Sequence, residues 1–217
     1  MTSREIGAAL AKVRRANRAF RVPAVTVVAA SRDPFAVLVS TILSLRTRDA
    51  ATAAASARIL ALARTPAAMR RLSARAIEKA IYPVSFYRTK ARHLLAACRL
   101  LEERHGGRVP KTMEELLALD GVGRKTANLV LTLGHGLPGI CVDTHVHRIS
   151  NRWGYVRTET PERTEFRLRE ILPRRHWLEY NDLLVTFGQN LCTPLSPRCS
   201  RCPLGTACER RGVLRSR

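Results

Sequence analysis

Residues 112–147 constrain this chain more than any other stretch. Two glycines flank one apolar residue in Asp120-Gly121-Val122-Gly123. A helix does not run comfortably through such a pair, and the glycines open positive φ for a tight hairpin. Before it, Thr112 and Glu115 have the spacing of a capping box, which predicts a short helix with Met113, Leu116 and Leu117 on its inner face. After it, a second helix is expected from about Arg124 to Leu133, stopped by Gly134. Helix, Gly-Val-Gly hairpin, helix is an anion-binding shape. The first amides of the second helix have no partner within it, and a phosphate can supply one.

Lys125 falls in the first turn of that second helix, where the helix dipole is positive. A second positive charge is disfavoured there, and a lysine that gives up its proton readily is a better amine nucleophile. The alternative is a lysine that clamps phosphate. The composition bears on the choice. The chain holds 38 Lys and Arg residues and a net charge of +21, yet its lysines are only Lys12, Lys79, Lys90, Lys111 and Lys125. Arginine holds phosphate at least as well, but it cannot form a Schiff base.

So large a positive charge calls for a polyanionic partner. Nucleic acid is favoured over a membrane surface, because no basic amphipathic stretch carries a large aromatic face. A bias toward Arg and Ala with no partner behind it is the competing explanation. No run of about 18 apolar residues exists, so no membrane span is expected.

Abundant Ala and Leu, few aromatics and frequent cap signals predict an all-α protein. Thr2 with Glu5 predicts an N-terminal helix with Ile6, Leu10, Val13 and Phe20 at helical spacing. Asp33-Pro34 starts the next, with Phe35, Leu38, Ile42 and Leu43 as its inner stripe. Asp49 is the expected cap of an Ala-rich helix to about Ala63, Thr65-Pro66 and Ser73 open two short ones, and Thr89 caps a longer one closed by Gly106-Gly107. Residues 82–87, with Pro83 and three aromatics, form a loop between them. Later, Asp143 or Thr144 caps a helix to about Trp153, Thr160-Pro161 opens another, and the last spans roughly residues 174–190.

The cysteines carry the second strong signal. Cys192, Cys199, Cys202 and Cys208 form C-x6-C-x2-C-x5-C among prolines, in a segment too short and irregular to build a core unaided. Disulfides need an oxidising compartment, and no secretion signal is present, so a metal centre is the better reading. Four thiolates suit zinc or an iron–sulfur cluster. Zinc sites usually pair two C-x2–4-C elements, and the wide first spacing here favours the cluster. Cys98 and Cys141 lie apart in apolar segments as core thiols.

Taken together, residues 121–127 (Gly-Val-Gly-Arg-Lys-Thr-Ala), Val142-Asp143-Thr144-His145 and the C-terminal cysteines resemble the endonuclease III family, helix-hairpin-helix DNA glycosylases with AP lyase activity. The resemblance runs from about Asp33 to Cys208, with the three motifs in the family's order. It implies a two-lobed all-α fold. A helical barrel lobe, residues 24–136, would carry the helix-hairpin-helix at 113–134. An iron–sulfur lobe would join residues 1–23 to 137–217 and hold a [4Fe–4S] cluster on Cys192, Cys199, Cys202 and Cys208. Double-stranded DNA with a damaged base or abasic site would lie between the lobes, where Lys125 and Asp143 would meet. The protein would act as a monomer in a bacterial or archaeal cytoplasm.

The implied activity is removal of oxidised or damaged pyrimidines. Lys125 would attack C1′ of a flipped nucleotide, expel the base as a Schiff base forms, and cleave the 3′ phosphodiester by β-elimination. Asp143 would take a proton from the amine and stabilise the cationic sugar. Its plainer role is that of an N-cap, and the two are compatible. By the same resemblance Gly121, Val122, Gly123 and Arg124 hold the DNA backbone. Phe86 is a wedge for the gap left by the flipped base, beside Arg88 and Lys90, and Arg46 stands where many members carry a glutamine that reads the orphaned base. Arg198 and Arg201 are implied phosphate contacts. His145 lies beside the site as a positioning or DNA-contacting residue rather than a metal ligand. Arg46 departs from the pattern and leaves the opposite-base preference open; Asp120, at a place often held by proline, sets a carboxylate near the phosphate-binding hairpin and is expected to weaken DNA affinity slightly. Two alternatives stand beside this reading: a monofunctional adenine or mismatch-thymine glycosylase of the same fold, and a non-catalytic DNA-binding module with zinc.

Overall fold

A computed structural model describes all 217 residues, and its regular structure is entirely helical. In chain order the α-helices are α1 (Ile6–Asn17), α2 (Ala24–Ala29), α3 (Pro34–Ser44), α4 (Asp49–Leu62), α5 (Pro66–Arg70), α6 (Ala74–Ile81), α7 (Tyr87–His105), α8 (Met113–Leu117), α9 (Arg124–Leu129), α10 (Thr144–Arg152), α11 (Pro161–Ile171) and α12 (Trp177–Asn190). A π-helical turn, Val130–Gly134, continues α9. The chain divides into two compact units, one made of Ala24–Leu137 and the other of Met1–Pro23 with Pro138–Arg217.

The Ala24–Leu137 unit is organised around α3. Asp33 caps this helix, its Oδ1 accepting from the Phe35 amide at 2.9 Å, and every residue from Phe35 to Leu43 is buried. The expected stripe is thus a helix apolar all round, which requires neighbours on every side. It has them in α2, α4, α7, α9 and the π-helical turn. Asp49 does not cap α4 as expected. It is the first residue of that helix, and both its oxygens accept from the Ala24 amide, at 3.0 and 3.1 Å. The carboxylate thereby pins the start of α2, a Val-rich segment with no helical signal of its own. Thr89 likewise does not cap α7, which starts two residues earlier, behind Phe86 in the left-handed conformation. The helix ends as foreseen, with Gly106 at φ 57° and the Gly107 amide returning to the Leu101 carbonyl at 2.9 Å.

In the other unit, Ile6, Leu10 and Val13 of α1 join Tyr180, Leu184 and Phe187 of α12, Val146 and Ile149 of α10, and Trp153 at the C-cap of α10 in one buried cluster. Trp153 meets Phe187 edge-on, ring centroids 6.2 Å apart. The buried Tyr180 hydroxyl is satisfied by Ser150 Oγ at 3.0 Å. At the N-terminus only half of the expected capping box forms. Glu5 accepts from the Thr2 amide and hydroxyl at 2.7 and 3.0 Å, but the helix begins at Ile6 without a side-chain cap.

Candidate nucleic-acid interface and cysteine centre

The hairpin is built as its residues require. Thr112 Oγ1 accepts from the Glu115 amide at 3.3 Å and donates to Glu115 Oε2 at 2.5 Å, starting α8. Gly121 has φ 76°. It is also sterically confined, since a Cβ there would stand 2.6 Å from His93 Nδ1 of α7. Val122 is buried, and its amide donates to the Leu119 carbonyl at 3.1 Å. Gly123 is the N-cap of α9, and a Cβ on it would meet nothing within 4 Å, so its outer side faces open space. Arg124 and Lys125 follow in the first turn, both half-buried. The second helix is α-helical only to Leu129 before its last turn widens to a π-helix.

Beside the hairpin lies an open pocket lined by Ile42, Leu45, Arg46, Phe86, Thr89, Lys90, His93 and Gly121. Two of these residues are left-handed without being glycine: Arg46, φ 52°, and Phe86, φ 57°. Such conformations are uncommon for bulky side chains and collect at functional sites. Both side chains are exposed, Phe86 by 62%. Arg88 is exposed too, its guanidinium 5.6 Å from the centre of the Tyr87 ring.

Lys90 departs from the expected DNA contact. It is only 5% exposed. Its ammonium donates to the Leu43 and Leu45 carbonyls at 2.7 Å each and to Thr47 Oγ1 at 2.9 Å. These three bonds occupy its three protons at the C-terminus of α3, where helix carbonyls lack intrahelical donors. Burial lowers its pKa to about 8. Spacing along α7 could not have shown this, because the partners lie more than forty residues earlier in the chain.

In the Met1–Pro23 and Pro138–Arg217 unit, Asp143 is the N-cap of α10. One carboxylate oxygen accepts from the amides of His145 and Val146 at 2.8 and 2.9 Å, and the residue is 9% exposed. His145 is half-buried and packs on α12, so closely that a Cβ on Gly188 would stand 2.5 Å from its Nδ1. The same nitrogen lies 3.1 Å from Arg148. His147 turns instead toward α11, its Nδ1 2.7 Å from Thr164 Oγ1.

Cys192, Cys199, Cys202 and Cys208 line one small pocket together with Trp153, Phe187, Leu191, Pro197 and Arg198. Cys98 and Cys141 are buried elsewhere. Burial raises the Cys202 and Cys208 thiols, nearby backbone amides oppose this, and the neighbouring cysteines add to it. Four such sulfurs ionise together only against a compensating positive charge. Arg152 supplies part of it. It is 7% exposed and donates to the Thr193 carbonyl at 2.7 Å, the Pro194 carbonyl at 2.5 Å and Cys192 Sγ at 3.5 Å. Arg148, one turn earlier on α10, donates to the Cys192 carbonyl at 2.8 Å. Burial lowers its pKa, while Cys192 acts in the opposite direction. The motif reading did not anticipate these two arginines; their only sequence signal is i,i+4 spacing on a helix that also carries Asp143. Arg198 is half-buried against the cysteine cavity and Arg201 is exposed.

An all-helical chain with a Gly-Val-Gly hairpin ahead of a lysine-bearing helix has the features of a helix-hairpin-helix DNA-binding protein. Residues 39–174 match the model of the HhH-GPD superfamily of base excision DNA repair proteins. The chain is 48% identical over 177 residues to Endonuclease III of Thermotoga maritima, covering 82% of this chain and 83% of that protein. Among solved structures it is similar to a non-covalent Endonuclease III–DNA complex, with TM-score 0.86, 32% identity and coverage of 97% and 96%. It is also similar to a trapped Endonuclease III–DNA covalent intermediate, with TM-score 0.84, 31% identity and coverage of 97% for each chain. The chain belongs to the endonuclease III family of the HhH-GPD superfamily, and its work is base-excision DNA repair as a glycosylase and lyase.

Proposed function

We propose that this enzyme removes oxidised or ring-damaged pyrimidines from duplex DNA and then cuts the strand, with Lys125 as nucleophile and Asp143 as proton acceptor and electrostatic partner. The observation that carries the reading is the placement of Lys125 two residues after Gly123, in the first turn behind an open-faced hairpin. Hairpin amides and Arg124 hold the DNA backbone there, and the flipped nucleotide brings C1′ to the amine. As the Lys125 nitrogen bonds to C1′, the C1′–N bond to the base breaks with its electron pair, and the departing base takes up a proton. The sugar ring then opens at C1′–O4′, a proton passing to O4′ as the nitrogen lone pair forms the iminium. The iminium acidifies the C2′ proton, whose loss to a base expels the 3′ phosphate. The Asp143 carboxylate accepts the amine's proton and offsets positive charge on the sugar.

The cysteine cavity suits a [4Fe–4S] cluster. The four cysteines line one pocket, and the first interval of C-x6-C-x2-C-x5-C is wider than the C-x2–4-C elements that zinc sites usually pair, which favours the cluster over a single zinc ion. When bound, the cluster would cross-link residues 192–208, a segment with short 3-10 turns and no α-helix. Base excision and elimination need no electrons. Phe86 is read as the wedge that enters the duplex, Arg46 as the residue that faces the orphaned base, and Arg88 as a basic DNA contact beside the wedge.

Borohydride trapping tests the nucleophile. Lys125→Gln should lose the trapped covalent complex on abasic duplex while still binding it, and undiminished trapping would remove Lys125 from the mechanism. The purified protein should be yellow-brown, with iron in proportion to protein; a colourless zinc protein would overturn the cluster assignment.

A further inference from the structure

The left-handed residues Arg46 and Phe86 sit on different loops, yet their neighbours share one set of hydrogen bonds. Thr47 Oγ1 accepts from Lys90 Nζ at 2.9 Å and from the Ser85 amide at 3.2 Å, and donates to the Leu45 carbonyl at 3.2 Å. Lys90 reaches that same Leu45 carbonyl, and its own amide donates to the Phe86 carbonyl at 3.0 Å. Thr47 therefore follows one strained residue and is bonded to the residue before the other. Lys90 grips the residue before Arg46 and returns to Phe86 through the first turn of α7. Strained non-glycine residues persist only where surrounding contacts over-determine them.

We propose that Lys90 and Thr47 form a positioning clamp that holds Arg46 and Phe86 at a fixed separation and orientation beside the pocket they line, so that both enter the duplex as one unit. The clamp acts through those two side chains and touches no DNA itself. It rests on the reading of Arg46 and Phe86 as duplex-entering residues. The geometry also explains why Lys90 is lysine in a chain rich in arginine. Three acceptors around one point suit a compact ammonium, and a planar guanidinium does not fit them.

Lys90→Met strips the end of α3 of its donor and can cost the fold, so Thr47→Val is the principal variant and Thr47→Ser its conservative control. Base release is measured in single turnover on a duplex with one oxidised pyrimidine, with thermal melting as the check on folding. Thr47→Val removes all three bonds of the hydroxyl and should slow release at least about tenfold, the scale of a single lost hydrogen bond expressed in rate, and Thr47→Ser should stay within about twofold of the unmodified enzyme. In an Arg46→Ala/Phe86→Ala background the same Thr47→Val change should cost under about twofold, because the residues it positions are gone. An equal loss in both backgrounds, or no loss in either, overturns the clamp.

A second readout needs no activity. Limited trypsin digestion of the free protein, far below the melting temperature of every variant and with the first cuts mapped by mass, should show cleavage after Arg46 or Arg88 accelerated about tenfold by Thr47→Val while cuts elsewhere keep their rate, since local opening governs cutting. Unchanged cleavage there overturns the clamp even if the enzyme is active. An unmodified protein that neither releases the base nor cuts the strand overturns the enzymatic reading instead, and the digestion result then decides the clamp alone.

Discussion

Asp143 holds two jobs that a pair of substitutions can separate. As an N-cap it accepts two amide hydrogen bonds through one oxygen, from His145 at 2.8 Å and Val146 at 2.9 Å. Loss of such a cap on Asp143→Ala is worth about 0.5–2 kcal/mol, which in a chain of this size lowers the melting temperature by roughly 1–8 °C. Asp143→Asn keeps a carbonyl oxygen in the capping position and so should cost only a few tenths of a kcal/mol. A pure cap therefore predicts a large effect from Ala and almost none from Asn. The chemical role predicts otherwise. An amide cannot take the proton of the attacking amine, and it offers no negative charge to the sugar cation. If that contribution is about 4 kcal/mol, base release falls by roughly three orders of magnitude in both variants. The assay is single-turnover release of a damaged pyrimidine at saturating enzyme, beside a melting curve for each variant. Asn within about tenfold of the unmodified rate, at whatever stability, would demote Asp143 to a cap and refute the assignment.

Gly121→Ala forces a Cβ onto φ 76° and to within 2.6 Å of His93 Nδ1, so the hairpin must deform. Affinity for abasic duplex should drop at least about tenfold in a binding titration, while Gly123→Ala, with open space before it, should lose less. Duplex affinity should decline linearly on a log–log salt plot with a slope near −0.9 per phosphate contacted, and a flat response would argue against a basic DNA-binding surface. Arg152→Met removes the bonds to the Thr193 and Pro194 carbonyls and to Cys192 Sγ. Iron content and visible absorbance should decrease with helical circular dichroism retained; full iron content would show that the loop holds its shape without Arg152.

The elements legible in the sequence were those whose signal is local. Thr112, Ser73, Thr65, Thr160 and Asp33 each cap the helix expected of them, because a cap bond spans only two or three residues. Asp49 and Thr89 carry the same side-chain chemistry, but tertiary contacts decided their outcome. Asp49 found the Ala24 amide, and α7 began earlier, behind Phe86. The hairpin's position was equally legible, since two glycines around a buried valine leave few alternatives. Its π-helical extension was not, and no residue in Val130–Gly134 announces it. The cysteine spacing pointed to one shared centre, and the four side chains do line one cavity. Arg148 and Arg152 carry no such signal, because arginines are everywhere in this chain and only their bonds to the Cys192, Thr193 and Pro194 carbonyls distinguish these two.

Lysine scarcity deserves a narrower interpretation than the sequence invited. Rarity in an arginine-rich chain suggested that each retained lysine does something arginine cannot, which pointed to amine chemistry at Lys125. Lys12, Lys79 and Lys111 are exposed and need no such reason. Lys90 does, and its reason is geometric: three oxygens within 2.9 Å of one nitrogen, in a pocket that a guanidinium would not fill correctly. Scarcity therefore selects for function without naming which function. The role of Lys125 rests on its place behind the hairpin and on the fate of the trapped complex. For Lys90 it rests on whether Arg46 and Phe86 lose their hold when Thr47 can no longer accept a bond.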